Sequence, residues 1–149
     1  LDKDETVLDA YCGIGSIGLY LAGKAQAVHG VEEVSEAVVD AEYNCSLNQI
    51  KNAKFHCGRV EDLLPTLVRQ HSFSTIVLDP PRKGVDSASL KAIAEQNVPR
   101  ILYVSCSPMT LERDVKYLVQ QGYKVQSITP FDMFPQTWHI ETVVQLKRT

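Results

Sequence analysis

Short runs rich in valine and isoleucine alternate along this chain with longer amphipathic segments, and this alternation limits the possible folds more than any other feature. The runs have the length and composition of β-strands, and the segments between them have the period of helices. The strands are predicted at 6–9, 27–31, 54–57, 75–78, 100–105, 124–129 and 142–146, and the helices at 17–22, 35–49, 61–70, 87–96 and 110–121.

The order of these elements indicates the fold class. Each of the first five predicted strands precedes a helix, whereas the last two strands follow each other with only a loop between them. Strand–helix–strand units build parallel sheets, and a direct connection between two strands reverses one of them. We therefore predict an α/β fold with a mostly parallel, doubly wound, seven-stranded sheet that contains one reversed strand.

Length and composition indicate one globular domain. The 149 residues include 44% hydrophobic and 22% charged residues, and no linker or repeat divides them, so residues 1–149 are predicted to form a single domain. The chain begins with Leu1 and has no signal peptide, so we expect a fragment of a longer protein. No apolar run is long enough to span a membrane, and the four cysteines form no C-x-x-C pair. We expect a cytoplasmic monomer with reduced thiols and no metal.

In a doubly wound sheet, ligands bind at the carboxyl ends of the strands, where the strand order reverses. Three polar segments follow predicted strands in this way. They are the glycine-rich "DAYCGIGSIG" after the first strand, "LDPPRKG" after the fourth and "SCSP" after the fifth. The sequence therefore predicts a binding site built from these three segments.

The glycine-rich segment has the spacing G-x-G-x-x-G at Gly13, Gly15 and Gly18, and the acid Glu32 follows. This spacing is typical of dinucleotide-binding turns, in which a helix N-terminus holds a pyrophosphate. Asp9, just before the glycines, is a poor neighbour for a pyrophosphate but suits a cationic ligand. We therefore favour S-adenosylmethionine, with its sulfonium and ammonium groups, over a nicotinamide cofactor. Taken singly, Gly18 is predicted only to permit a tight turn.

Five segments resemble, in their order, those of the RNA uracil-5-methyltransferases, which make 5-methyluridine in tRNA and rRNA: "DAYCGIGSIGLYLA", "VEEVSEAVVDAEYN", "VLDPPRKG", "YVSCSPMTLERD" and "MFPQTWHIETV". The resemblance implies a Rossmann-like class I methyltransferase fold that uses S-adenosylmethionine. It also implies that Cys106 is the nucleophile and Glu141 the base, and that Tyr11, Glu32 and Asp79 line the cofactor site. Together with the residues of the glycine-rich turn, these form the predicted site.

The chemistry explains why a cysteine and a carboxylate are needed. Carbon 5 of uracil is too weak a nucleophile to attack a methyl sulfonium, so a nucleophile must first add at carbon 6. The Cys106 thiolate can add there and leave again. Carbon 5 then carries both a methyl group and a proton, and Glu141 is the predicted base for that proton.

Residues that would contact the RNA are less defined by the sequence. Asp79 either binds the cofactor or hydrogen-bonds the uracil edge, and the sequence leaves both open. Arg82 is a candidate phosphate contact, and His139 is a candidate for orienting the base or contacting RNA. Trp138 and Phe134 either stack on a nucleobase or pack within their loop.

Two interpretations of the function remain at this point. In the first, the chain catalyses methyl transfer to carbon 5 of uridine in rRNA or tRNA. In the second, it is a cofactor-binding module that is inactive without upstream RNA-binding domains. The net charge of −3 gives no broad attraction to RNA, which favours the second interpretation for the chain alone. A dehydrogenase is a distant third.

Overall fold

The structure is a computed structural model, and it describes residues 3–149. Every predicted strand and helix forms, with small differences in their bounds. The strands are β1 (Thr6–Ala10), β2 (Ala27–Glu32), β3 (Ala53–Cys57), β4 (Thr75–Leu78), β5 (Arg100–Ser105), β6 (Tyr123–Phe131) and β7 (Glu141–Arg148). The helices are α1 (Ser16–Ala22), α2 (Ser35–Leu47), α3 (Val60–Gln70), α4 (Ser87–Glu95) and α5 (Pro108–Gln120).

All five helices differ from their predicted bounds by one or two residues, and three of the differences have local backbone reasons. Helix α2 ends before the predicted residue 49 because Gln49 has a φ of 56°, and α4 ends before residue 96 because Asn97 has a φ of 53°. A left-handed residue terminates a right-handed helix. Helix α5 begins two residues earlier than predicted, at Pro108, because the fixed φ of proline suits the first helical position.

All seven strands form one sheet in the order β3-β2-β1-β4-β5-β7-β6. Strands β1 to β5 pair in parallel, and β7 lies between β5 and β6 and pairs antiparallel with both. The predicted mostly parallel sheet with one reversed strand is therefore confirmed. The chain order reverses at β1, because β2 lies on one side of it and β4 on the other.

Helices cover both faces of the sheet. Helices α3, α4 and α5 pack on one face in the largest core, which includes Leu8, Ile76 and Tyr103 of the strands. Helices α1 and α2 pack on the other face, where smaller clusters surround Val28 and Phe55. Alternate residues of β1 and β4 are buried on opposite faces, as a strand covered on both sides requires.

Gly30 lets β2 pass closely over the Phe55 side chain of β3. A Cβ atom at residue 30 would lie 2.3 Å from Phe55 Cδ1 and 2.8 Å from the Cys12 sulfur. Both distances are far below van der Waals contact. Gly23, at the end of α1, is different because a Cβ atom there would meet nothing closer than the Tyr20 carbonyl oxygen at 3.8 Å.

These two glycines provide a matched test of the packing. We expect Gly30→Ala to lower the free energy of unfolding by about 1–3 kcal/mol, the usual cost of overpacking a filled core. Gly23 has helical dihedral angles of −67° and −12°, which alanine adopts without strain. We therefore expect Gly23→Ala to raise the free energy of unfolding, by up to about 1 kcal/mol. Urea denaturation of both variants measures the difference. Equal stability of the two variants would contradict the close approach at Gly30.

Candidate functional site

The predicted site residues converge on one edge of the sheet. Strands β1, β2, β4 and β5 are parallel, so their carboxyl ends lie along this edge. Strand β7 runs in the opposite direction and therefore begins there, with Thr142 paired to Ser105. Cys106 follows Ser105 and Glu141 precedes Thr142, so the sheet register brings together two residues that are 35 positions apart.

A first cavity of about 280 Å³ opens at the ends of β1, β2 and β4. Its walls contain three of the predicted cofactor residues, Tyr11, Glu32 and Asp79, and also Glu33, Val60, Glu61, Pro81 and Lys83. Four of these side chains are carboxylates. Lys83 is the single basic residue among them, and its ammonium lies 3.3 Å from a Glu61 oxygen. The cavity walls are therefore acidic.

Glu32 anchors the glycine-rich turn. Its carboxylate accepts a hydrogen bond from the Gly13 N–H at 2.9 Å and one from the Val34 N–H at 3.0 Å. Gly13 has a φ of 52°, and the space where its Cβ atom would lie is open. Gly15 also has a positive φ, 83°, but its Cβ atom would lie 2.8 Å from the Phe55 ring. The turn thus needs both glycines, and only Gly13 leaves open space beside Glu32.

Asp9 lies beneath helix α1, and it is not among the wall residues of the cavity just described. The residue is 1% exposed, and its Oδ2 atom accepts a hydrogen bond from the Gly18 N–H at 2.7 Å, while Oδ1 has no partner among residues 3–149. Burial raises the pKa of the Asp9 carboxyl to about 7. The Gly18 hydrogen bond lowers this pKa, and the nearby Asp79 raises it by a smaller amount. The geometry gives Asp9 a supporting position, and its contact with a cofactor stays a prediction.

The prediction that Gly18 permits a tight turn is wrong. Gly18 lies inside α1, and a Cβ atom there would lie 3.0 Å from Asp9 Oδ2 and 3.2 Å from Val28 Cγ1. Its lack of a side chain lets the helix approach the sheet, so the third glycine of the motif serves packing.

A second cavity, of about 490 Å³, contains both predicted catalytic residues. Cys106 and Glu141 lie in its walls together with Asp79, Val104, Phe131, Met133, Phe134 and Val143. Asp79 is the one residue common to this cavity and the first. The two cavities therefore meet at Asp79, where Pro80 and Pro81 end β4.

The carboxyl groups of Asp79 and Glu141 interact electrostatically. Partial desolvation raises the pKa of the Asp79 carboxyl, and the negative charge of Glu141 raises it further. The second cavity thus places a thiol, a carboxylate and a second carboxyl with reduced acidity in one largely apolar space.

Two other predicted residues lie outside both cavities. Arg82 is exposed, and its carbonyl oxygen accepts a hydrogen bond from the Thr110 hydroxyl at 3.1 Å. His139 is exposed on the loop between β6 and β7, where its ring contacts those of Phe134 and Trp138. Their contacts with RNA stay predictions.

Asp114 is a structural residue of the site that the sequence analysis missed. It is 1% exposed and accepts hydrogen bonds from the Tyr103 hydroxyl at 2.6 Å and the Val85 N–H at 2.9 Å. These contacts tie β5 and α5 to the loop that follows "DPPR". The sequence does carry a signal for the burial of Asp114, because this acid lies between Leu111 and Leu118 on the apolar face of an amphipathic helix.

Within residues 3–149, no three histidine, cysteine or acidic side chains are arranged to hold a metal ion. His29 of β2, His56 of β3 and His71 after α3 do lie close together, with 3.1 Å between His29 Nδ1 and His56 Nε2. None of the helices in this part of the chain combines the length and the hydropathy that crossing a bilayer would require.

Comparison with known proteins gives a consistent result. Residues 1–149 match the family model described as tRNA (uracil-5-)-methyltransferase. RNA methyltransferases of Bacillus cereus and Enterococcus faecalis are 51% and 50% identical over 149 residues, which is 99% of this chain but 32% and 33% of theirs. The chain thus spans about a third of the length of the curated relatives that it matches.

Solved structures agree with the fold. The Pyrococcus abyssi tRNA (uracil-54, C5)-methyltransferase, crystallised with S-adenosyl-L-homocysteine, is 35% identical and superposes on 98% of this chain and 35% of its own with a TM-score of 0.82. An rRNA methylase from Streptococcus thermophilus is only 16% identical but has a TM-score of 0.78 over 99% of this chain and 89% of its own. The predicted Rossmann-like class I methyltransferase fold is confirmed.

The electrostatic interaction between Asp79 and Glu141 can be tested by titration. We expect Glu141→Gln to lower the pKa of Asp79, because a neighbouring negative charge is removed, but to leave it above the ordinary value since the desolvation remains. Carboxyl-carbon NMR over a pH series measures this shift. Asp132→Asn, a charge removed from the exposed loop after β6, is the control. An Asp79 pKa that is the same in both variants would exclude the interaction.

Proposed function

The chain belongs to the tRNA (uracil-5-)-methyltransferase family, and from this premise we propose that it transfers a methyl group from S-adenosylmethionine to carbon 5 of uridine in RNA. The relatives named above are RNA methyltransferases, and the Pyrococcus abyssi enzyme acts on carbon 5 of a tRNA uracil. We assign Cys106 as the nucleophile and Glu141 as the base.

One observation carries the proposal. Cys106 and Glu141 share a cavity, and Asp79 connects that cavity to a second one with acidic walls. Methyl transfer needs two adjoining sites, one for the base to be modified and one for the methyl donor. Adjoining cavities at the carboxyl edge of a doubly wound sheet supply this arrangement.

The acidic cavity suits S-adenosylmethionine better than a dinucleotide. Glu32, Glu33, Glu61 and Asp79 in its walls repel a pyrophosphate and attract a ligand that carries ammonium and sulfonium groups. Glu32 keeps free lone pairs after its two backbone hydrogen bonds, so it can also accept from ribose hydroxyls. The open space at Gly13 allows the ligand to approach the backbone there. S-adenosylmethionine, when bound, supplies a methyl group on a positively charged sulfur.

Cys106 begins the proposed reaction. Its thiolate forms a bond to carbon 6 of uracil, and the electron pair of the C5=C6 double bond moves into the neighbouring carbonyl to give an enolate. Carbon 5 is then nucleophilic enough to take the methyl group, while the electrons of the broken methyl–sulfur bond stay on the donor sulfur. The apolar walls formed by Val104, Phe131 and Val143 suit the flat face of the pyrimidine.

Glu141 completes the reaction. Its carboxylate removes the proton from carbon 5, the electron pair restores the C5=C6 double bond, and the bond between carbon 6 and the Cys106 sulfur breaks to release the thiolate. Asp79 lies in the wall of the same cavity, where its carboxyl group can hydrogen-bond the edge of the uracil. Its place in the wall of the second cavity supports the substrate role that the sequence left open, and its place in the wall of the first supports the cofactor contact.

A second candidate function is a cofactor-binding module that needs other parts of a longer protein to engage RNA. The observation that favours it is the span of the chain, about a third of its curated relatives, together with a net charge of −3. The two functions differ in one result. Both predict cofactor binding, but only the first predicts a covalent conjugate between this chain and RNA.

The first test concerns the cofactor cavity. We expect Glu32→Ala to weaken S-adenosylhomocysteine binding by about 1–3 kcal/mol, because it leaves hydroxyl groups of the ligand and the Gly13 N–H without an acceptor. Isothermal calorimetry measures the change, with NAD as a comparison ligand. Glu36→Ala, an exposed acid on α2, is the matched control. Wild-type affinity in a folded Glu32→Ala variant would remove Glu32 from the site, and binding of NAD alone would refute the methyltransferase proposal.

The second test separates the two catalytic roles. With S-adenosylmethionine and RNA that contains 5-fluorouridine, the wild type should form a covalent conjugate, because fluorine at carbon 5 cannot leave as a proton. Cys106→Ala should form none and keep its S-adenosylhomocysteine affinity within a few-fold. Glu141→Gln should accumulate a methylated conjugate even with ordinary uridine RNA, since elimination stalls. Denaturing gels with radiolabelled cofactor report each outcome.

Cys57→Ala is the control for this experiment because Cys57 is an exposed free thiol. A conjugate that persists in Cys106→Ala and disappears in Cys57→Ala would overturn the nucleophile assignment. Normal turnover by Glu141→Gln, or a conjugate without the methyl group, would overturn the role of the base. Cofactor binding without any conjugate would favour the module.

A further inference from the structure

The chain's single tryptophan, Trp138, is almost fully exposed. The residue is 92% exposed, the highest value among the large hydrophobic side chains of residues 3–149. An indole can bury about 150–250 Å² of surface, and a free one near a functional cavity indicates a binding surface. The Trp138 side chain is not packed within its own loop, since every residue of that loop, from 132 to 140, is exposed.

A hydrogen-bonded turn presents Trp138. The Thr137 N–H donates to the Phe134 carbonyl oxygen at 3.1 Å, Pro135 holds the second position, and Gln136 has a φ of 70° at the third. Proline followed by a residue of positive φ is the pattern of a type II turn. The Thr137 hydroxyl then accepts a hydrogen bond from the His139 N–H at 3.2 Å. The backbone on both sides of Trp138 is therefore held in place.

Three rings lead outward from the cavity that contains Cys106. Phe134 lies in the wall of that cavity, and its ring centroid is 6.3 Å from that of His139. The His139 ring is 6.4 Å from the Trp138 ring. Trp138 is thus the outermost member of a row that begins where the target base is proposed to bind. The one carboxylate on this loop belongs to Asp132, six positions before Trp138.

We propose that the Trp138 indole stacks on an unpaired base next to the target uridine in the RNA, and this inference rests on the proposed function. Every nucleobase presents a flat π-face, and aromatic side chains bind unpaired bases by stacking on it. A target uridine inserted beside Cys106 must leave its own stack, and its neighbour then loses a stacking partner. Trp138 replaces that partner and so helps to position the RNA.

Fluorescence gives the first measurement, since all tryptophan emission comes from Trp138. The probe is a short single-stranded RNA with one uridine, added to the complete chain saturated with S-adenosylhomocysteine. We expect strong quenching that saturates with RNA concentration. RNA that binds without changing the emission, or no binding by the wild type, overturns the proposal.

Abasic RNAs test whether a base is the partner. An oligonucleotide that lacks the base on one side of the uridine should bind the wild type about tenfold more weakly, the range of one base–aromatic stack. Trp138→Ala should lose a similar factor with intact RNA and should no longer distinguish the abasic RNA. Trp138→Phe should recover most of the affinity. Tyr43→Ala, which removes an exposed aromatic from α2, should behave as the wild type. If Trp138→Ala and the abasic site each lowered the RNA affinity and their effects added when combined, stacking between the two would be refuted.

Failure of this inference can be told from failure of the proposed function. If the 5-fluorouridine conjugate forms and Trp138 does not respond to RNA, only the stacking is refuted. If Trp138 shows the abasic dependence but no cofactor binding or conjugate occurs, the proposed reaction fails and the RNA contact stands. A change of self-association in Trp138→Ala, without an RNA effect, would assign the ring to a protein contact and overturn the proposal.

Discussion

Parallel pairing of β4 with β1 and β5 is the constraint on which the arrangement of the site depends, because it brings the loops after three strands to one edge. The reversed β7 extends this edge, since an antiparallel strand begins where its parallel neighbours end. Glu141 therefore lies beside Cys106 because of the pairing of β5 with β7, and no contact between the loops of these two residues is required. A parallel β7 would have placed Glu141 at the opposite edge of the sheet.

A buried carboxylate, that of Asp114, fixes the loop after β4 against β5 and α5. Asp114 joins the Tyr103 hydroxyl of β5 to the Val85 N–H, and the Arg113 guanidinium lies 2.7 Å from its second oxygen. Such a group is costly to bury unless its hydrogen bonds are made, so its partners have to stay in register. Asp9 differs because burial leaves one of its oxygens without a protein partner and raises its pKa. At the same edge of the sheet, Asp114 thus stabilises the scaffold, whereas Asp9 lies beneath helix α1 as an acid with a raised pKa.

The two cavities have different chemistry, and Asp79 lies where they meet. The first has acidic walls, one of which, Glu32, binds the N–H of Gly13, whereas the second has mostly apolar walls and a thiol. The aromatic row of Phe134, His139 and Trp138 extends the second cavity toward solvent. This division fits a cationic methyl donor on one side and an unstacked base on the other.

The sequence by itself determined the element order, the fold class and the residue types of the site. Alternating strands and helices, proline after β4 and glycines before α1 are local signals, and they were sufficient to predict all twelve elements. Helix ends at Leu47 and Glu95 were misjudged because left-handed conformations at Gln49 and Asn97 carry no strong signature in those residue types. Only the tertiary structure decided that Gly18 serves packing, that Asp9 is buried and that the partners of Asp114 are Tyr103 and Val85. Those outcomes depend on contacts between segments far apart in the chain, which local patterns of hydrophobicity and backbone preference do not encode.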